Sequence, residues 1–566
     1  MYDLIRTALL AAVFMLNAVT AQQPRQIQRE TREQLQHRPD TGVLARGYVL
    51  LPQAEPAPVR SAPPNTQEPI LPVVAPFEMP QLQRPDIPAR EYDIRAYGAK
   101  EGGLSKNTDA IRKAVTRAAN EGGGTVVVPP GKWLTGPIHL ESNIRLHLQA
   151  GAELLFSQDF DDYLPVVFSR HEDIECYKYS AFIYADGKTN IAITGEGTLD
   201  GQGNPWWVWK QSQKDAEKLL YEMGTNNLPV RKRIFDGKGG NALRPAFFQP
   251  MRCKNILVEG VTFKYGAFWT ITPTYCENVI VRNVRIITTG DEGHAPNGDG
   301  VDPSSCRNVL IENCEFNTGD DCIAIKAGRD RDGLRVGIAT ENVVIRNCTG
   351  FQGHGGIVVG SETSGGIRNV YATHCQFSGT DRIVRIKTAR GRGGVIEKLW
   401  FDNLSGEHIL LEAIHLNMLY TGSRMPAQPV SDATPTLRDI HFENISCTSG
   451  DGYAVEFLGL PERAIENVTI AGLTAATRRG INCSDVRDLR FTDVNITPKS
   501  GPVVTIVDGE DITLDSLNVS VGTTELLRVE GARSREIRIR STSAPALRNL
   551  ISLSPEVSRE AVCIMP

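Results

Sequence analysis

The chain has 566 residues, with 61 Lys plus Arg against 66 Asp plus Glu and a formal net charge of -5. That is too long for one compact core, and no long block of one sign occurs, which excludes a nucleic-acid binder working through a broad basic face and a polyacidic tail protein. The 52 glycines follow no strict period, so a collagen-like fibre is excluded too.

In chain order, the first element is a short apolar run, Ala8 to Leu16, preceded by Arg6 and followed by the small residues Ala18-Val19-Thr20-Ala21. It is too short to span a bilayer and reads as a cleaved export signal over residues 1–21, placing the protein in the periplasm or outside the cell with no membrane span. Residues 22–88 are rich in Pro, Gln and Arg with no apolar period, and they read as an unstructured linker. Thr108 to Ala119 is the one convincing helix, opened by Asn107 or Thr108 and stopped by Gly122-Gly123-Gly124. Its Ile111 and Val115 face inward.

Beyond residue 90 one phrase returns: a polar residue followed by alternating β-branched and polar residues. It starts at Asn190, Asn255, Asn278, Asn308, Asn342, Asn369, Lys398, Asp439, Asn467, Asp488, Asp511 and Glu536. Most steps are 21 to 34 residues, with longer steps of 65 and 41. Such a period with no helical component predicts an all-β solenoid over 89–566, a right-handed parallel β-helix whose N-terminal end the helix caps. The recurring Asn tolerates left-handed backbone and can hydrogen-bond along the stack. For that reason Asn403, Asn444, Asn467 and Asn495 read as turn residues rather than glycosylation sites. The 11 cysteines contain no CxxC pair, and those of Asn313-Cys314, Asn347-Cys348 and His374-Cys375 fill one repeat position, as small buried side chains do.

Four consecutive units carry polar strings that the repeat does not need: Asn297-Gly298-Asp299-Gly300, Gly319-Asp320-Asp321-Cys322, Gly353-His354-Gly355 and Arg385-Ile386-Lys387. Asp320 and His354 each fall 12 residues after their anchors, Asn308 and Asn342, which stacks them on adjacent coils. Arg385 falls 16 after Asn369 and needs a small register shift. Three carboxylates near a histidine suit glycoside hydrolysis, where one acid protonates the leaving oxygen and another carboxylate activates water. Crowding raises the pKa of one acid, and Arg and Lys would hold an anionic sugar.

These strings resemble the signature of the family 28 glycoside hydrolases, the polygalacturonases, in which NTDG, GDD, GHG and RIK occur in this order. Glycine replaces threonine at Gly298. The phrases EYDIRAYGA, GGGTVVVPPGKW and GEGTLDGQGNPWW resemble the bacterial, exo-acting branch, and the likeness runs from about Glu91 to Tyr420. The resemblance implies inverting hydrolysis of α-1,4-galacturonosidic bonds in pectic polysaccharide or galacturonic acid oligomers. No cluster with metal-ligand spacing occurs in the sequence, so no metal or cofactor is expected, and the protein is expected to be a monomer. The resemblance assigns Asp320 as general acid, Asp299 and Asp321 as the pair activating water, and His354 as the residue tuning the acid. Arg385 and Lys387 become ligands of the substrate carboxylate, with Asn297 and Tyr420 as further substrate contacts. A hydrolase of another pectic backbone, a calcium-dependent pectate lyase and a non-catalytic glycan-binding solenoid are the alternatives. The aromatic and basic insertion from Trp206 to Pro250, with the loop Gly290 to Pro296, predicts a blocked cleft and release of monomer from a chain end.

Overall fold

A computed structural model describes residues 69–565 apart from 421, 520–522 and 543–546. The export signal and linker residues 22–68 lie outside the described residues. From Glu91 onward the chain winds as a right-handed parallel β-helix with three strands in each complete coil. One face is built from strands such as Lys254–Glu259, Glu277–Arg282, Arg307–Glu312 and Thr340–Arg346. The second face contains Thr262–Lys264, Arg285–Ile287 and Glu315–Asn317. The third contains Phe248–Met251, Ile323–Ile325, Ile357–Gly360, Val384–Lys387 and Ile414–Asn417.

Register follows from period-two alternation, which sends every second side chain into one continuous core. Leu146, Ile193, Val258, Val281, Ile311, Ile345, Ala372 and Phe401 stack directly on one another through eight coils, all fully buried. Each large aliphatic member contributes about 1.5–3 kcal/mol. The helix Thr108–Asn120 presents Ala110, Ile111, Ala114, Val115 and Ala118 to this core and covers the first coils, as its sequence predicts. All 11 cysteines are free, and all but Cys563 are buried.

The recurring asparagines form a ladder. Asn190, Asn255, Asn278, Asn308, Asn342 and Asn369 each donate from the side-chain amide to the Oδ1 of the preceding coil's asparagine, at 2.9–3.1 Å. All six have φ between 56° and 60°, and Asn403, Asn444 and Asn467 are left-handed as well. Asn308→Ala should therefore cost about 2–4 kcal/mol, because it orphans the amides on both sides and forces alanine into left-handed backbone. Urea denaturation reads this loss, and Asn308→Gly, which removes only the backbone strain, should recover part of it.

The expectation of an unstructured linker out to residue 88 is corrected for residues 69–88. This segment is an extended strap along the outside of the first face. Ile70, Val73, Phe77, Met79, Leu82 and Ile87 cover the outward side chains Ala192, Leu257, Ile280, Leu310 and Val344. Arg346 donates to the carbonyls of Leu71 and Pro72 at 3.1 Å, and Arg84 pairs with Glu259. No internal period reveals such a strap, since its apolar partners lie on strands more than a hundred residues away.

The long step before Asn255, together with a hairpin that precedes Asn190, builds a wall on the third face. A hairpin of Val167–His171 and Ile174–Lys178 is extended by Ile234–Phe235, and the helix Lys214–Thr225 packs against it through Ala216 and Leu220. Ion pairs from Arg233 to Asp332 and Arg335 to Glu175 tie the wall to the later helix Asp330–Val336. Trp206 is buried among Phe160, Tyr163 and Trp209, while Trp207 packs under Gly293 in the hairpin of Thr289–Gly290 and Gly293–His294.

Candidate active site

The third face and the turns entering it carry the four strings. Val301 pairs with Ile323, and Ile323 with Ile357, so Asp299 and Asp321 occupy equivalent positions on adjacent coils, two residues before their paired strands. The same position on the next coil is Gly355, where a Cβ would stand 2.5 Å from Val358 and 3.6 Å from Asp321 Oδ1. A side chain here would crowd Val358 and Asp321. Gly319 is required for a different reason, because its Cβ would lie 2.5 Å from the carbonyl of Ala295 at the hairpin base. On the next strand Arg385 pairs with Val358 and Lys387 with Gly360, so both point outward while Ile386 enters the core. Arg385 thus sits on the strand itself, beyond the turn that holds His354, which accounts for its longer offset.

The structure brings seven of the eight candidate residues into one constellation. His354 Nδ1 lies 3.0 Å from Asp320 Oδ1, and the His354 backbone donates to the Asp320 carbonyl at 3.0 Å. Lys387 donates to Asp321 Oδ2 at 2.6 Å, and the Arg385 guanidinium is 3.9 Å from Asp321 Oδ1. Oxygens of Asp299, Asp320 and Asp321 lie within 4.8 Å of one another, close enough to hold a cation, which sequence spacing did not suggest. Two of these carboxylates already have ammonium partners, Lys387 at Asp321 and Lys326 at 3.6 Å from Asp299. Asn297, two residues before Asp299, accepts from Lys210 and Arg244. Tyr420 stands apart. Its backbone is held by Asn417, which pairs with Lys387 one coil earlier, and its phenol makes no hydrogen bond within the constellation.

Two neighbours were missed in the sequence. Asp302 follows Asp299 in the same string and is fully buried with neither carboxylate oxygen hydrogen-bonded. Lys326 follows GDD by five residues, lies 3.3 Å from Glu362 and stands over the Trp269 ring at 4.2 Å. Period-two alternation from Ile323 and Ile325 would have marked Lys326 as outward-facing beside the acids, and the same rule from Val301 marks Asp302.

The electrostatics separate the acids. Burial, the facing Asp302 and the charge of Asp320 hold Asp299 well above the usual carboxylate range, although Lys326 opposes this. Asp302 is raised by burial as well. Burial also pushes Asp320 upward, but the His354 hydrogen bond and charge, with Lys387 and Lys326, outweigh it and leave Asp320 below its ordinary value. The resemblance made Asp320 the protonated acid, whereas this arrangement lowers Asp320 and raises its hydrogen-bond partner His354 above its ordinary value. The signs define a window. A raised histidine contributes stability that is fully present below about pH 6.5 and lost as pH rises through its folded value. A depressed aspartate contributes stability present above about pH 4 and lost as pH falls through its folded value.

Parallel coils with acids, a histidine and paired cations on one outward face define a β-helical glycoside hydrolase. The profile described as Glycosyl hydrolases family 28 matches residues 234–488. The crystal structure of a hyperthermoactive exopolygalacturonase from Thermotoga maritima is 36% identical, covering 74% of this chain and 94% of that one, with a TM-score of 0.69. The chain belongs to glycoside hydrolase family 28. A probable polygalacturonase of Vitis vinifera is 29% identical over 445 residues, 75% of this chain and 84% of that protein. An exo-poly-alpha-D-galacturonosidase of Dickeya chrysanthemi is 26% identical over 462 residues, 74% and 75% of the respective chains.

Proposed function

We propose that the protein hydrolyses α-1,4-galacturonosidic bonds of polygalacturonan with inversion, releasing monomer from a chain end. The observation that carries this reading is a pair of buried oxygens, Asp299 Oδ1 and Asp321 Oδ1, without hydrogen-bond partners beside the His354-bonded Asp320. A water donating one hydrogen to each of those oxygens would satisfy both and be oriented for attack. Asp320 is the most accessible acid, with 19% of its side chain exposed against 3% for Asp299 and 1% for Asp321, so it is the one that can reach a leaving oxygen. His354 holds the proton that Asp320 must deliver. A uronate carboxylate settling on Arg385 and Lys387 adds negative charge beside Asp320 and weakens the grip of Lys387, which moves the proton toward Asp320.

The wall supports exo action. Through Lys210 and Arg244 it is anchored to Asn297, two residues from Asp299, where a polymer passing through the site would have to run. Action on pectin outside the cytoplasm follows from this reading, and no helix among the described residues is long and apolar enough to cross a membrane.

Product analysis tests both claims in one digestion. Proton NMR should show the β-anomer of free galacturonic acid first, and viscosity should fall slowly relative to reducing ends. Early α-anomer would instead assign a covalent intermediate, since the nearest carboxylate oxygens are closer than is usual for inverting pairs. A rapid viscosity loss with a ladder of oligomers would overturn exo action.

A further inference from the structure

Lys210 ends the aromatic phrase of the wall and is held by the short helix Trp209–Ser212, whose Trp209 packs on Trp206, Phe160 and Tyr179. Its ammonium donates to Asn297 Oδ1 at 2.6 Å. The same oxygen accepts from Arg244 at 2.8 Å, so one amide oxygen takes two cationic donors. Arg244 is fully buried, and its other partners are Gln213 Oε1 and the carbonyls of Ala267 and Pro296, all uncharged. Behind it, the buried Lys178 donates to the Arg244 carbonyl at 2.9 Å and lies 3.3 Å from His171 Nδ1. Among the described residues, none of these three cations has a carboxylate within ion-pair distance. Glu217, the nearby acid, is engaged by Gln213 at 2.6 Å and His171 at 3.3 Å.

The other buried cations around the site are paired: Arg233 with Asp332, Lys326 with Glu362, and Lys387 with Asp321. A cluster of cations without counter-charge is costly unless an anion completes it. Burial accordingly pushes Lys178 down to about 8 and Arg244 to about 10. Of the three, only Lys210 is half-exposed. It reaches the cleft two residues from Asp299, on the opposite side of the carboxylates from Arg385 and Lys387. The two sugars that share a galacturonosidic bond carry one carboxylate each, and the site offers one cationic position on each side.

We infer that Lys210, with the amide of Asn297, binds the carboxylate of the terminal galacturonate unit, and that Arg244 is the positioning residue that fixes Asn297. This rests on the proposed hydrolysis of polygalacturonan from a chain end. It makes the wall a selector for an ionised terminal unit as well as a barrier.

The test compares wild type, Lys210→Met and Lys210→Arg on trigalacturonate and on its two variants bearing a methyl ester at one terminal unit or the other. Wild type should disfavour one terminal ester by about 10- to 100-fold in kcat/KM, the range for a hydrogen bond to a charged group. Lys210→Met should lose a similar factor on the free acid, mostly through KM, and act on that ester at nearly the wild-type rate. Lys210→Arg should keep most of the discrimination. If Lys210→Met keeps the wild-type preference, or loses the same factor on every substrate, the assignment of Lys210 is wrong while the proposed hydrolysis stands. A wild-type protein that cleaves none of the three substrates would overturn both.

Discussion

Asp320→Asn should lower kcat by about 10²- to 10⁴-fold, the usual contribution of a positioned general acid, and leave the fold intact. The substitution keeps the oxygen that accepts from the Asp321 backbone at 3.0 Å, so the turn retains its shape. What it removes is the group that passes a proton from His354 to the leaving oxygen. Wild-type kcat/KM should fall on the alkaline side as His354 loses its proton, above pH 6.5 because Asp320 raises that pKa. In Asp320→Asn the stabilising carboxylate is gone, so residual activity should lose this limb or show it at lower pH. Steady-state rates across pH, with thermal melts at each pH, separate the two effects. A variant with near-native turnover would remove Asp320 from the acid role.

The parts of the molecule legible in the sequence were those that repeat. The asparagine anchors predicted both the coil and their own left-handed backbone, because one steric rule acts at every turn. Equal offsets from Asn308 and Asn342 placed Asp320 beside His354, since stacked coils turn sequence spacing into distance. The wall was legible only as an interruption. Its hairpin, Val167–His171 with Ile174–Lys178, pairs antiparallel within a parallel protein, and an ion pair from Glu175 to Arg335, 160 residues later, helps hold it in place. The strap at 69–88 was hidden for a similar reason. Its apolar residues match a surface assembled from five coils, although the runs ILV, VIV, VLI and VVI had both faces apolar and signalled that something covers them. The charge state of Asp320 lay beyond the sequence as well, because it depends on a balance between burial and His354.

Lys387→Met should impair the enzyme by two routes, and a double mutant separates them. The Lys387 ammonium is 2.6 Å from Asp321 Oδ2, and the other Asp321 oxygen is buried with no hydrogen bond. Removing the lysine strands a fully buried carboxylate, a change that typically costs about 3–5 kcal/mol. The partial relief from Arg385, 3.9 Å away, places the expected loss at the lower end of that range. Activity should fall further than stability explains, because the same lysine is the proposed ligand of the substrate carboxylate, and KM should rise with the fall in kcat. Asp321→Asn alone should also remove activity, but it leaves Lys387 free to turn toward solvent and costs less stability. In the double variant, Lys387→Met with Asp321→Asn, no charge is left stranded. Its denaturation midpoint should recover most of the loss seen in Lys387→Met while turnover stays at the background level. Recovery of stability in the double variant assigns the lysine its structural role, and the rise in KM of the still-folded Lys387→Met variant assigns it the substrate role. If the single lysine variant is as stable as wild type, Asp321 is not held by Lys387, and the base must be oriented by Arg385 alone.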